Sequence, residues 1–473
     1  MAVHHDFDSF ELTPADYGFP MFYAGCTISF RLNNPEEGVD IVRDAIERLV
    51  CHLPFLAGLV VPSARKVGVM EVRPPGQGEA ISDFCIIQHL PHLRLPSRMD
   101  SSRSKNVGEY DRNATLIMAP VHIAASPTDH PVMRSQINVL DDGIIVALFF
   151  NHMVIDGTGI GALLESLAAC CNGTTCIPCN IECEQNTREN LLLTLERNKM
   201  PGHPEIRSPP ILEVPTGTGH EEVHDSLLLD YKFFISGTKI KLLREHIQNL
   251  GSGFVSEDDI LTAILWTCLG RSRPHRLSQG GLPASVCKLQ RVVNVRHKLR
   301  PHVSPYYLGN CFIMLNEALT TVELGQEASD SETGEQAFAR LIAPVARLLR
   351  SRLDKVDDLF IRDYLSHYET ASDWANTSVH EPDIAVTSIR RLNIYGEYFG
   401  PILGKVEDFE MLPYMNPEGV CTIMPHRRAG DDAWEVGVTL GREDMERLRK
   451  NVKWRWLVDR ESPLQVFEGH HVV

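Results

Sequence analysis

The sequence contains no run of about eighteen apolar residues, the length a helix needs to cross a bilayer, so a membrane-spanning helix is not expected. Positive charge is in deficit. With 46 Lys and Arg against 62 Asp and Glu, the formal net charge of −16 argues against nucleic acid or an anionic membrane as the main partner. A local basic patch can still bind an anionic small molecule on such a protein. The opening residues, MAVHHDFDSFELTP, lack the charged-then-apolar pattern of a signal segment, which makes a cytoplasmic protein the expectation. There is no repeat period and no long low-complexity tract. A GxSxG nucleophile elbow is also missing, which speaks against an acyl-enzyme built on a serine. Cys176 and Cys179 have a spacing that zinc accepts, yet no second such pair or His pair completes a tetrahedral set, so no metal is expected. The cluster Cys170, Cys171, Cys176, Cys179 and Cys183 reads as a loop of free thiols. Cys26, Cys51, Cys85, Cys268, Cys287, Cys311 and Cys421 read as small core residues.

What is present is a globular composition, 43% hydrophobic and 23% charged, over 473 residues, enough for two domains that each bury a core. Strand-like and helix-like segments alternate in both halves, which places the chain in the α/β class. A stretch carrying Pro201, Pro204, Pro209, Pro210 and Pro215 cannot build a core and divides the chain. The expected organisation is a domain over 1–197, a crossover linker over 198–226 and a second domain over 227–473. Proline and acids at Pro35, Glu36 and Glu37 open a helix whose apolar residues recur at helical spacing. Ser256 with Asp259 three residues on resembles a capping box.

The chain is organised around one stretch. Val146, Ala147, Leu148, Phe149 and Phe150 read as a buried strand, preceded by an Asp-Gly turn at Asp142 and Gly143 that makes a hairpin. Asn151 and His152 follow where the strand ends; Asp156 and the turn-permitting Gly157, Gly159 and Gly161 come next, and Ala162 to Cys171 reads as an apolar helix. A histidine at a strand end is either a satisfied structural residue or a general base held on a rigid edge.

The segment NHMVIDGTG resembles the HxxxDG signature of CoA- and carrier-dependent acyltransferases. SEDDILTAILWTCLGRSR and VVNVRHKLRPHVSPYYLGNCF, in that order downstream, narrow the resemblance to the BAHD acyltransferases. Divergence from the plant pattern points to the fungal branch, which includes trichothecene 3-O-acetyltransferase. The resemblance implies a two-domain chloramphenicol-acetyltransferase-like fold, each domain a mixed β-sheet flanked by helices, with a channel between them. It implies an acyl-CoA, with acetyl-CoA as the expected donor, no permanently bound cofactor, a small-molecule hydroxyl acceptor and a monomer.

By the same resemblance His152 is the general base, while Asp156, Gly157 and Arg296 support the site. In the family the first of these, an aspartate, pairs with an arginine. Arg296 matches an arginine that meets the aspartate of a DFGWG motif, but here the best match to that motif puts Tyr398, Phe399 and Gly400 in place. The partner of Arg296 is thus left open between Glu397, Asp408 and solvent. Thr387 and Ser388 resemble a strand lining the acceptor channel, and Tyr306, Tyr307 and Asn310 fall in a segment bordering the family's site; packing is an equal reading for each. Arg271, Arg273, His275, Lys298 and Arg300 are candidates for the CoA phosphates, with a solvated helix end the competing account of the first two. A carrier-dependent condensation or ring-closing catalyst, and a non-catalytic ligand-binding relative, are the alternatives; Asn151 stands where condensation enzymes carry a second histidine.

Overall fold

The structure is a computed structural model and describes residues 7–18, 21–66, 68–75, 84–95, 130–174, 177–197, 228–251, 253–273, 286–325, 334–370, 382–412, 417–427 and 432–467. The whole of the expected linker 198–226, His275 and Cys176 lie outside them.

A five-stranded sheet runs in the order Asp408–Met411, Tyr23–Arg31, Gly143–Asn151, Met133–Leu140, Cys85–Leu90. Its last pair is parallel and the others antiparallel. The hairpin forms as its turn signal requires, with Leu140 opposite Gly143 and Met133 opposite Phe150. The helices Pro35–His52 and Gly157–Cys171 pack together, and Val42, Ile46 and Leu49 of the first enter the same core as Val146, Leu148 and Phe150. A small four-stranded sheet flanks this unit.

A seven-stranded mixed sheet forms the second unit, in the order Phe312–Thr320, Val286–Asn294, Ile384–Ser388, Val420–Ile423, Trp434–Gly441, Leu228–Ile235, Val458–Phe467. Helices Gly237–Asn249, Glu257–Ser272, Glu335–Asp354 and Arg442–Lys450 bury Ile240, Leu243, Trp266, Phe338 and Leu448 against it. The capping box is complete: Ser256 Oγ accepts from Asp259 N at 3.2 Å, and the Asp259 carboxylate accepts from Ser256 N at 2.8 Å. The helix Glu335–Asp354 continues through Pro344. Cys51 is exposed and Cys85 half-buried, so these two are not the core residues expected.

The two cores do not divide at the proline-rich stretch. Val295, Tyr307, Cys311, Ile361, Ile389, Phe399 and Phe409 all join the first core, although they fall in the 227–473 segment expected to form the second domain. The reason lies at a sheet edge. Asp408–Met411 pairs with Tyr23–Arg31, carrying its backbone N–H and C=O groups to an edge that would otherwise lack partners.

A buried ionic cluster ties the units together. Lys232, on the second sheet, contacts Glu435 at 2.8 Å and also Glu410 on the first sheet; Arg427 reaches Glu435 at 2.6 Å and Asp408 at 2.7 Å. Burial works against the Glu435 charge, but Lys232 and Arg427 outweigh it and hold that carboxyl down at about 2. Lys232→Met would take the lysine from Glu410 and leave the buried Glu435 with Arg427 alone. The expected loss is about 3–5 kcal/mol of stability, read from the urea midpoint, and a loss below about 1 kcal/mol would show the cluster to be dispensable.

Candidate active site

Asn151 is the last residue of its strand, opposite Tyr23. The chain then turns tightly: Val154 N and Ile155 N both donate to Asn151 O, and the Asn151 amide oxygen accepts from Met153 N at 3.1 Å. Asn151 thereby builds the turn, a role for which asparagine is suited. His152 sits on this turn, partly exposed, its N–H bonded to Phe22 O at 2.9 Å. Its ring lies against Phe22, 4.7 Å between centroids, and edge-on to Phe312 at 6.2 Å. Burial lowers its pKa below the usual 6.5, opposed by Asp156, its own backbone carbonyl, Asn310 and Asp16. The imidazole is therefore neutral at pH 7, the state a general base requires.

Asp156 faces away from this chemistry. Arg296 grips it with both ends of its guanidinium, NH1 to Oδ2 at 2.8 Å and NH2 to Oδ1 at 2.9 Å. Cys311 N donates to Oδ2 at 3.1 Å, and Gly159 N to Oδ1 at 2.8 Å, which caps the helix Gly157–Cys171. The partner of Arg296 is thus Asp156, and not Glu397, Asp408 or solvent. Arg296 is buried, and its NH2 also donates to Tyr307 O at 3.0 Å and Gly309 O at 2.8 Å. The capped helix begins at Gly157, earlier than the Ala162 expected from apolar content.

The glycines of this segment serve close approach, and none of Gly157, Gly159 or Gly161 has positive φ. A Cβ on Gly159 would lie 2.2 Å from Leu308 O, and one on Gly157 would lie 3.0 Å from Ile389 Cγ2. The His152 turn is pressed in this way against two segments from later in the chain: the 304–311 loop, and the end of the strand Ile384–Ser388. Thr387 is half-buried and Ser388 exposed at that strand end, beside Ile389. A further tie joins Asn294 Nδ2 to Thr158 Oγ1 at 2.8 Å.

Sequence reasoning missed three buried charged residues here. Asp16, in the short turn Pro14–Tyr17, meets Arg188 at 3.2 Å and Asn310 Nδ2 at 3.0 Å. Arg188, on the helix Ile181–Arg197, donates to Val154 O at 3.3 Å, and Glu184 accepts from Leu308 N. Burial pushes Glu184 up to about 7, against the pull of Arg188.

Other candidates fall elsewhere. Tyr307 is fully buried, its ring between Arg188 and Arg296, so it packs the loop and lines no channel. Asn310 is 1% exposed and donates to His152 O at 2.9 Å, holding the base's backbone. Phe399 is buried edge-on to Phe30, which pairs with Ile144 at the far end of the strand pair from Asn151, about 20 Å away at strand rise. Tyr398, exposed, and Gly400, packed on Cys171, share that remote position and cannot border the His152 ring. Arg273 is 2% exposed and ion-paired to Glu418 at 3.4 Å and Asp444 at 3.5 Å, which takes it out of the candidates for phosphate. Arg271, two residues earlier on the same helix end, is half-buried. Lys298 donates to Val356 O at 2.8 Å, just past a helix end, whereas Arg300 is exposed beside His302 and His297. No cluster of metal-ligating side chains occurs among the described residues, and none of their helices is long and apolar enough to cross a membrane.

Residues 104–454 match the Transferase family, and residues 22–171 match the trichothecene 3-O-acetyltransferase-like N-terminal domain. The chain is 30% identical to the O-acetyltransferase cpsE of Aspergillus campestris, covering 99% of this chain and 100% of that protein. It is 28% identical to the fumigaclavine B O-acetyltransferase easN of Aspergillus fumigatus, covering 96% and 98%. Among solved structures, F. sporotrichioides TRI101 complexed with coenzyme A and T-2 superposes with a TM-score of 0.72 at 20% identity, covering 98% of this chain and 100% of that one. That likeness gives the fold. A base-competent histidine beside a fully paired aspartate, the matched family over most of the chain and the full-length relatives converge: this chain belongs to the BAHD transferase family, with a trichothecene 3-O-acetyltransferase-like N-terminal region, and is an acyltransferase.

Proposed function

We propose that this enzyme acetylates a hydroxyl of a fungal secondary metabolite by direct transfer from acetyl-CoA, with His152 as general base. The observation that carries the reading is a partly exposed histidine, its ring between Phe22 and Phe312, on a turn whose neighbouring carboxylate is consumed by Arg296. His152 takes the proton of the acceptor hydroxyl as its oxygen bonds to the thioester carbon. The tetrahedral oxyanion then collapses, the carbon–sulfur bond breaks, and the CoA thiolate recovers the proton from the imidazolium. Asp156, Gly157 and Arg296 keep the turn in shape. Thr387 and Ser388, brought to the His152 turn by Ile389, are proposed to line the acceptor side. The alcohol-bearing acceptor class is suggested by relatives named for O-acetylation, one of them for fumigaclavine B. We read the enzyme as a cytoplasmic monomer, in keeping with its net charge of −16.

For the CoA phosphates, Arg300 is the proposed contact, its guanidinium exposed on the loop that follows Arg296. Lys298 would act only as nearby charge, and Arg271 lies at the other end of the strand Val286–Asn294, where Gly270 packs on Cys287.

His152→Ala should cut release of CoA from acetyl-CoA by about 10²–10⁴-fold, assayed by thiol trapping with a panel of hydroxylated fungal metabolites headed by fumigaclavine B. Turnover within tenfold of the parent would remove His152 from the role of base. The acid limb of kcat/KM should fall below pH 6.5, because the neutral ring is the active form and its pKa lies under the ordinary value; an inflection above 6.5 would contradict that assignment. Arg300→Ala should raise KM for acetyl-CoA roughly three- to tenfold and leave kcat unchanged, the signature of a lost ground-state contact. An unchanged KM rules the contact out.

A further inference from the structure

Two peptide planes flank His152, and each is pinned by a different contact. The preceding one is held by the His152 N–H, which donates to Phe22 O at 2.9 Å as an extension of the strand ladder. The following one is held by the His152 carbonyl, which accepts from Asn310 Nδ2 at 2.9 Å. With both planes fixed, the Cα–Cβ direction is fixed, and the ring has only its own torsions left between Phe22 and Phe312. The second contact depends on the Asn310 amide, and that amide is set by Asp16. Asp16 Oδ1 accepts from Asn310 N at 3.2 Å and from Asn310 Nδ2 at 3.0 Å. The amide hydrogens of Asn310 thus face two oxygens, which settles which way round the group sits. The other Asp16 oxygen accepts from Thr13 N at 2.7 Å, Thr13 Oγ1 at 2.9 Å and Arg188 NH1 at 3.2 Å. Asp16 is 2% exposed, and Arg188 and Asn310 are buried equally deeply. Five donors converge on one carboxylate; a neutral amide in its place could accept on one side only.

We propose that Asp16 is a positioning residue for transfer: through Asn310 it fixes the backbone of His152, so the direction of the base is set from a turn near the start of the chain. This rests on the reading of His152 as the base. Asp16 touches neither the ring nor the reacting atoms, so its hold on the position of the base passes through Asn310, while its charge acts on the ring only at a distance. A displacement of about 1 Å at a base costs on the order of 10² in rate, which makes such a brace consequential even without substrate contact.

The charges facing the ring are Asp156 and Asp16, with Arg296 and Arg188 behind them; Phe22 and Phe312 pack its faces and Asn310 its backbone. Asp16 and Asn310 both favour the protonated ring. Removing either therefore lowers the His152 pKa further, whereas a variant that merely opens the site to water moves it up toward 6.5.

The experiment follows carbethoxylation of His152 by diethyl pyrocarbonate, which reacts with the neutral imidazole, by peptide mass spectrometry from pH 5 to 8. The proteins are the full chain and its Asp16→Asn, Asn310→Ala, doubly substituted and His152→Ala variants, with CoA release from acetyl-CoA measured in parallel on the same metabolite panel. The expected result is a fall in the His152 pKa in each single variant and a drop in kcat of about tenfold or more. KM for acetyl-CoA should stay within threefold, and the double variant should be no worse than the more affected single one, because the two act through one chain of contacts. An unchanged pKa and kcat in either single variant, a pKa rising toward 6.5, or effects that multiply in the double variant would each overturn the proposal. Should Asp16→Asn fail to fold, Thr13→Ala, which removes one donor from Asp16, takes its place with a smaller change expected in the same direction, and no change there is equally fatal. A His152→Ala enzyme that keeps its turnover sinks the base itself; full turnover in the Asp16 and Asn310 variants beside a dead His152→Ala enzyme sinks the brace alone.

Discussion

The ion pair between Asp156 and Arg296 is the contact on which this molecule's architecture turns. It is buried, bidentate and completed by two backbone N–H groups on the carboxylate and two backbone carbonyls on the guanidinium. A charge pair taken out of water is stabilising only when its remaining hydrogen-bonding capacity is met, and here most of it is met by main chain. Its value is therefore geometric. It fastens the His152 turn, the start of the helix behind it and the 307–311 loop into one body, using groups that come from chain positions 140 residues apart.

That arrangement separates two tasks which adjacent carboxylates and histidines elsewhere combine. Asp156 has no capacity left for orienting the imidazole, so its direction has to come from other neighbours. Phe22 and Phe312 supply the packing; the strand ladder and Asn310 supply the backbone contacts. The lowered basicity follows from the same aromatic surroundings, since burial is the largest influence on the ring.

Local signals in the sequence were reliable where the structure is local. The Asp-Gly hairpin, the Ser256 and Asp259 cap and the helix opened by Pro35 are each set by neighbours a few residues apart, and each forms where its residues indicate. The His152 position at a strand end was legible for the same reason. What escaped notice was long-range or inverted. The helix Ile181–Arg197 turns Glu184, Arg188 and Leu191 inward, so its buried stripe carries charge where an apolar period would be sought. Asp16 meets Arg188 across 172 positions and Asn310 across 294, distances over which residue spacing carries no information. Arg296 resembles an arginine that meets a motif near the end of the chain, yet its partner stands in the His152 segment. Arg273 has the residue type for phosphate, and only burial between Glu418 and Asp444 reveals that it is spoken for.

The edge strand Asp408–Met411 has a bearing on how such a chain is made. The strand Tyr23–Arg31 emerges early from the ribosome, but the segment that closes its open side does not exist until residue 408 has been added. For most of synthesis the nascent first sheet carries a bare row of main-chain donors and acceptors, the kind of edge that invites pairing with a neighbouring polypeptide. Arg296, too, arrives long after the aspartate it neutralises. Nascent chains of this design are consequently most vulnerable to aggregation before release, and chaperone demand should be concentrated there rather than in the finished enzyme.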